Sequence, residues 1–253
     1  MRALDLNADA GESFGPYRLG CDEALMPHVT SVNIACGFHA GDPAVMARTV
    51  RLALAAGVRI GAHPGYPDLQ GFGRRELRMP PDEIGYMVVY QIGALAAIVR
   101  AESGLRLHHV KLHGALYHAA AAQQAVAVAV TDALLRCDPS LILYAPPVGV
   151  LALEASGAGL TVWSEAFADR AYAPDGRLVA RDRPGAVLSD PNEMAARVLR
   201  MCETGRVAAV DGSILSVNPD TVCVHGDGPG AAQAARRIRQ VLAHAGCLMG
   251  EKN

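Results

Sequence analysis

Four apolar stretches, each the length of a strand, run straight into a polar motif that carries histidine. They are S-V-N-I-A-C-G-F-H-A-G-D (31–42), V-R-I-G-A-H-P-G (58–65), H-V-K-L-H-G (109–114) and V-C-V-H-G-D-G-P-G (222–230). A fifth, A-L-D-L-N-A-D-A-G-E (3–12), has the same form with carboxylates in place of histidine. When reactive side chains sit at the ends of successive strands, one arrangement gathers them all: a cleft at the C-terminal edge of a parallel sheet.

Helix signals alternate with these stretches. Asp42-Pro43 reads as an N-cap followed by proline at the first helical position, with Met46, Val50, Ala53 and Leu54 as the apolar stripe before Gly57. Pro81-Asp82-Glu83 opens a longer helix that Gly104 closes, Asp190-Pro191 repeats the first signal ahead of Gly205, and a last helix is expected from about Pro229 to Ala245. The Ala/Gln/Val stretch at 119–130 reads as one further helix. Strands are expected near 3–7, 31–35, 58–62, 109–112, 141–145, 160–165 and 221–225. This βαβα order predicts an irregular (β/α) barrel of about seven parallel strands, with residues 1–253 as a single domain. Two segments, Gly11 to Thr30 and Ala166 to Ser189, are too long for short barrel loops and read as functional lids.

Alternation within each strand separates two faces. Leu4 and Leu6 oppose Asp5, Asn7 and Asp9; Val110 and Leu112 oppose His109, Lys111 and His113; Val222 and Val224 oppose Cys223 and His225. The apolar sets suit packing against helices. The polar sets must face the barrel interior or its mouth, where they need partners, because an unpaired buried charge is costly.

Composition excludes several classes. A net charge of −2 supplies no basic field for nucleic acid. The longest apolar run, Met87 to Val99, is interrupted by polar residues and falls short of the ~20 that span a bilayer. With no signal-peptide pattern and six scattered cysteines, the chain is expected in the cytoplasm with reduced thiols.

The candidate site residues follow from motif and position. Asp5 reads as the structural partner of a buried arginine, and Asp9 and Glu12, at the strand end, as general base, water positioner or cation ligand. Asn7 and Asn33 lie on the same inward faces. Asp42 reads as a helix cap and Cys36 as a small buried thiol, whereas His39, between Gly37 and Gly41, is a functional candidate. His63 precedes the loop G-Y-P-D-L-Q-G-F-G-R-R, whose Arg74 and Arg75 are placed to hold a carboxylate or phosphate. Lys111, one of only two lysines, shares a strand face with His113; near other cations it is expected to lose its proton readily or to stabilise an oxyanion. Glu165, Asp169 and Arg170 follow the sixth strand, and His225 and Asp227 sit in a glycine-rich turn suited to an anion. His108 and His118 read as peripheral, and His28 and His244 lack such context. Asp9, His39, His63 and His113 are also candidates for a divalent metal, although no compact zinc spacing such as H-E-x-x-H is present. Neither lysine follows glycine, so there is no P-loop.

The motifs D-L-N-A-D-A-G-E-S-F-G, N-I-A-C-G-F-H-A-G-D, G-A-H-P-G-Y-P-D with G-F-G-R-R, V-K-L-H-G-A-L-Y, E-A-F-A-D-R-A-Y and V-H-G-D, in unbroken order over nearly the whole chain, resemble the LamB/YcsF family. Leu112 stands where that family often has proline, on a side chain expected to point away from the cleft. The resemblance implies a barrel related to the glycoside hydrolase/deacetylase type. It also implies cleavage of 5-oxo-L-proline to L-glutamate, coupled to hydrolysis of ATP as co-substrate and carried out together with two other 5-oxoprolinase subunits, B and C. On that reading Asp9 or Glu12, with His39 or His113, activates water; Lys111 and the arginines stabilise phosphate and oxyanion charge. Replacing Lys111 by methionine is then expected to abolish ring opening and leave the fold intact. Two other readings remain open from the residues alone: a metal-dependent hydrolase or deacetylase of small amides or sugars, and a non-catalytic subunit that binds a lactam or sugar. Homo-oligomer formation is also open.

Overall fold

The structure is a computed structural model that describes residues 3–226 and 230–249. Among these, nine strands and eight α-helices are present. The strands are β1 (Asp5–Ala10), β2 (Ser31–Ala35), β3 (Arg59–His63), β4 (His109–Lys111), β5 (Ile142–Ala145), β6 (Thr161–Phe167), β7 (Arg206–Ala208), β8 (Ile214–Ser216) and β9 (Thr221–Val224). The helices are α1 (Asp22–Leu25), α2 (Pro43–Ala55), α3 (Pro81–Ser103), α4 (Gly114–Ala122), α5 (Gln124–Cys137), α6 (Val150–Gly157), α7 (Pro191–Thr204) and α8 (Ala231–His244). Seven strands close in the order β1-β2-β3-β4-β5-β6-β9, and each neighbouring pair is parallel.

The helix boundaries follow their predicted punctuation. Asp42 accepts a hydrogen bond from the Val45 amide at 2.8 Å and another from Gly15 at 2.8 Å, so it caps α2 and tethers the loop after β1. Asp190 caps α7 through the Asn192 amide, and Gly104 and Gly205, at φ 71° and 68°, end α3 and α7 in the left-handed region that a side chain disfavours. One expectation needs correction, and one element adds to those expected. The 119–130 stretch is not one helix: the chain leaves helical geometry at Gln123 (φ −116°, ψ 115°), which divides α4 from α5. The β7–β8 hairpin lies outside the barrel and was not anticipated.

The strand faces separate as alternation predicts. Leu6, Ala8, Val32, Ile34, Val110, Leu143 and Val222 are fully buried between the sheet and its helices, each larger side chain contributing about 1.5–3 kcal/mol. The interior face is polar: Asp5, Asn7, Ser31, Asn33, His109, Glu165 and Thr221 are equally buried. Gly61 fits this lumen for a steric reason, since a β-carbon there would overlap the His109 imidazole from the neighbouring strand.

Among the described residues one helix, α3, with 23 residues, is long and apolar enough by length and composition to cross a membrane. It therefore extends beyond the apolar run noted in the sequence. Its Ile84, Val88, Ile92, Leu95 and Val99 are buried on the face packed among β3, α2 and α5, as in a barrel helix.

Candidate active site

At the C-terminal ends of the barrel strands lies a cavity of about 1000 Å³. Asp9, Glu12, His63, Lys111, His113, Glu165 and His225 line it from five strands and the turns that follow them. Of the two long segments expected as lids, 166–189 forms a wall through Phe167, Arg170, Tyr172 and residues 175–181. The segment 11–30 contributes only Glu12 to the lining.

Lys111 occupies the floor. Its Nζ lies 2.9 Å from Asp9 Oδ1, 3.0 Å from Glu165 Oε1 and 2.9 Å from Cys223 Sγ, with the Phe167 ring 5.3 Å away. Burial opposes its charge, but Asp9, Cys223 and Glu165 outweigh that and hold its pKa well above the usual lysine value. This corrects the expectation of an easily deprotonated lysine: the neighbours that matter are carboxylates from distant strands, and Lys111 is a fixed cation. Asp9 is the reciprocal case. Its burial is overcome by His63 and Lys111, which keep its carboxyl well below the ordinary carboxylate range.

Beneath this pair the lumen is hydrogen-bonded down to its base. Asn33 Nδ2 donates to Asn7 Oδ1 and to Asp9 Oδ1, both at 2.8 Å, and its own Oδ1 accepts from His109 Nε2 at 2.7 Å. Asn7 Nδ2 donates to Thr221 and Glu165. Asp5 is held by Thr30, Ser31, Thr221 and Tyr144 as well as by Arg59 at 3.4 Å, so the expected arginine partner is present among four hydroxyl donors. Asn7 and Asn33 thus support the floor rather than line the cavity.

A second group surrounds three imidazoles. His63 Nε2 is 3.0 Å from His113 Nδ1 and 3.4 Å from Asp9 Oδ2, and Glu12 Oε1 is 3.7 Å from both His113 Nδ1 and His39 Nε2. His39 stacks on His113 at 3.7 Å between ring centroids, behind the cavity wall. Burial first, then the neighbouring imidazoles, pushes both His39 and His113 well below the ordinary histidine range. The glycine-rich loop permits this packing: a β-carbon on Gly65 would come within 2.7 Å of His39 Nδ1, and one on Gly73 (φ 62°) within 2.7 Å of His39 Cβ.

On the opposite side, His225 Nδ1 lies 2.8 Å from Asp169 Oδ2, and its Nε2 is 4.0 Å from Asp9 Oδ2. Burial opposes ionisation of Asp169, but His225 draws its pKa below the usual value. Arg170 lines the cavity and donates to the Val179 carbonyl at 2.6 Å. The two adjacent arginines do not act together. Arg74 faces the cavity over Phe72, whereas Arg75 turns outward onto Asp68. Asp227 lies outside the described residues. Cys36 is buried, and burial raises its thiol to about 12, in keeping with an inert role.

The lining or floor residues that were not among the sequence candidates include Tyr117, Phe167 and Cys223. Cys223 and Phe167 share strand parity with His225 and Glu165, so alternation alone pointed to them. Tyr117, whose pKa is raised by burial and then by Glu165, sits one helical turn after His113, a relation that strand parity does not reveal.

Comparison with known proteins gives a consistent result. The profile of the LamB/YcsF family matches residues 4–252. The A subunit of 5-oxoprolinase from Symbiobacterium thermophilum is 56% identical over 250 residues, covering 99% of this chain and 95% of that protein. Its counterpart from Heliobacterium modesticaldum, of the same name, is 54% identical over 243 residues, covering 96% and 95%. The crystal structure of a lactam utilization protein from Thermus thermophilus superposes with a TM-score of 0.93 at 48% identity, covering 99% of this chain and all of that one.

Proposed function

The chain belongs to the LamB/YcsF family, and from that premise we propose that it is the A component of an ATP-dependent 5-oxoprolinase, working in the cytoplasm with the B and C subunits. The reaction converts 5-oxo-L-proline, ATP and water to L-glutamate, ADP and phosphate. The observation that carries this reading is the buried Lys111 joined to Asp9 and Glu165 on the floor of a large cavity, in a chain more than half identical to relatives bearing that name.

A lactam carbonyl is a poor electrophile, and phosphorylation of its amide oxygen by ATP activates it. This sequence has no P-loop, so that step is assigned chiefly to the partners and ring opening to this barrel. Arg74 and Arg170 line the cavity and suit the phosphoryl group. Asp9 orients the attacking water. Asp169, which can only accept from His225 Nδ1 while ionised, fixes the tautomer in which Nε2 is bare and turned toward Asp9, so His225 takes the proton from water. Water adds to the activated carbonyl carbon, and the ring C–N bond breaks with its electron pair going to nitrogen, which takes up a proton. This leaves the side-chain carboxyl as an acyl phosphate, and a second water adds to its carbonyl carbon and expels phosphate with the C–O electron pair, giving the free carboxylate. Lys111 offsets the oxyanion charge without moving a proton.

The test is 5-oxoproline-dependent formation of ADP and glutamate by this chain alone and with the B and C subunits. Glutamate is expected only from the complete mixture. If 5-oxoproline binds but the complete mixture does not turn over, the chain is a silent binding component and the proposal fails.

A further inference from the structure

The hydrogen bonds of two histidines leave a contradiction that a bound cation resolves. His63 Nδ1 lies 2.8 Å from the Lys111 carbonyl oxygen, and His113 Nε2 lies 2.7 Å from the Phe72 carbonyl oxygen. A carbonyl only accepts, so both of these nitrogens carry the proton. With both rings neutral, the form in which imidazole ligates a cation, the remaining nitrogens, His63 Nε2 and His113 Nδ1, are bare. They face each other at 3.0 Å with the ring planes at 89°. Lone pair against lone pair is repulsive unless something positive lies between.

The surroundings identify what that is. Two donors about 2.0–2.1 Å from a tetrahedral ion stand roughly 3.3 Å apart, and here the separations are 3.0 Å between the two imidazole nitrogens and 3.7 Å from His113 Nδ1 to Glu12 Oε1. Backbone carbonyls that fix the far nitrogens are the usual support of metal-binding imidazoles. A third imidazole, His39, is fully buried with neither ring nitrogen hydrogen-bonded, and its Nε2 is 3.7 Å from the same Glu12 oxygen. Because its ring is parallel to that of His113, it reaches an ion only by tilting, which no hydrogen bond opposes. The neighbouring trio of Asp9, Cys223 and His225 has comparable spacing. There the Lys111 ammonium already stands 2.9 Å from both Asp9 and Cys223, and takes the place of a cation.

We infer that His63 Nε2, His113 Nδ1 and Glu12 Oε1, with His39 beside them, bind a divalent first-row transition cation, and that the nitrogen-rich set suits Zn²⁺ or Co²⁺ rather than Mg²⁺. The site opens onto the cavity, since His63, His113 and Glu12 all line it. The inference goes beyond the lactam reading and is measured on the chain alone, so cation binding without glutamate formation by the complete mixture counts against that reading only.

The experiment titrates the chelator-treated chain with Zn²⁺ by calorimetry and with Co²⁺ by visible absorption. Alongside these, ¹⁵N spectra of the histidine side chains are recorded. About one cation per chain is expected, with affinity at least about tenfold weaker in His63→Ala and Glu12→Gln. The His63 Nε2 and His113 Nδ1 resonances should move on loading. If the variants do not fold, the spectra of the native chain decide. Histidine resonances that ignore added Zn²⁺, or a proton found shared between the two rings in the presence of Zn²⁺, overturn the inference, as does undiminished affinity in folded variants.

Discussion

Replacing Lys111 by methionine tests the floor of the site, and the structure sets the size of the effect. The ammonium is 3% exposed and joins two carboxylates at 2.9 and 3.0 Å, themselves 5% and 0% exposed. Methionine keeps most of the volume, so the loss is electrostatic. Removing one partner of a buried ion pair costs about 3–5 kcal/mol. The folded variant has one escape, which is to protonate a carboxylate. For a group with an ordinary pKa near 3.9, that costs about 4 kcal/mol at pH 7 and about 1.5 kcal/mol at pH 5. The two figures agree at neutral pH, and the second adds a signature. In the variant the folded-state carboxylate pKa is raised above the unfolded value, so its deficit shrinks as pH falls. Urea unfolding followed by circular dichroism should therefore show Lys111→Met about 3–4 kcal/mol less stable than wild type at pH 7 and only about 1–2 kcal/mol less at pH 5. Adding Glu165→Gln should restore part of the loss. This replaces the simpler expectation that the substitution spares the fold. A deficit below about 1 kcal/mol at pH 7, or one that does not change with pH, would refute the fixed-cation account.

Three other predictions concern separate parts of the molecule. His225→Asn should lower glutamate formation in the complete mixture by about 10²–10⁴-fold. Asp169→Asn should do so through loss of the tautomer, with the unfolding midpoint of each near wild type; activity within a few-fold of wild type would remove His225 as the base. Asp42→Ala should destabilise the chain by about 1 kcal/mol at pH 7 through loss of the α2 cap. Hydrogen bonds from the Val45 and Gly15 amides depress the Asp42 pKa. Its contribution is thus complete above the ordinary aspartate value and fades as pH falls through the lower folded value, so the wild-type advantage should vanish in strong acid.

What the sequence reveals here depends on the distance over which each residue finds its partners. Period-two alternation placed Asp9, Lys111 and His225 at the barrel mouth because parity is a property of one strand. The protonation state of Lys111 was misread for the opposite reason. Its sequence neighbours are histidines, while its deciding partner Asp9 is 102 residues away and arrives only when the sheet closes. Arg74 and Arg75 are adjacent in the chain but diverge, because Asp68, seven residues earlier, captures Arg75. The division of α4 from α5 falls in a run of alanine, glutamine and valine with no glycine or proline to mark it. The β7–β8 hairpin did carry a turn signal, Asp211-Gly212 with glycine at φ 85°, but its strands are only three residues long.

The hydrogen-bonded lumen gives the barrel a property that an oil-filled one lacks. From Asp5 at the base to Lys111 at the mouth, amides, hydroxyls and an imidazole form a lattice of dipoles that their hydrogen bonds already orient. Such a medium solvates charge as water does, but without the reorganisation that liquid water requires each time a charge appears. An anion forming above Lys111 therefore meets a polarisation fixed when the chain folded, and a substitution deep in the lumen can retune chemistry at the mouth without touching a substrate.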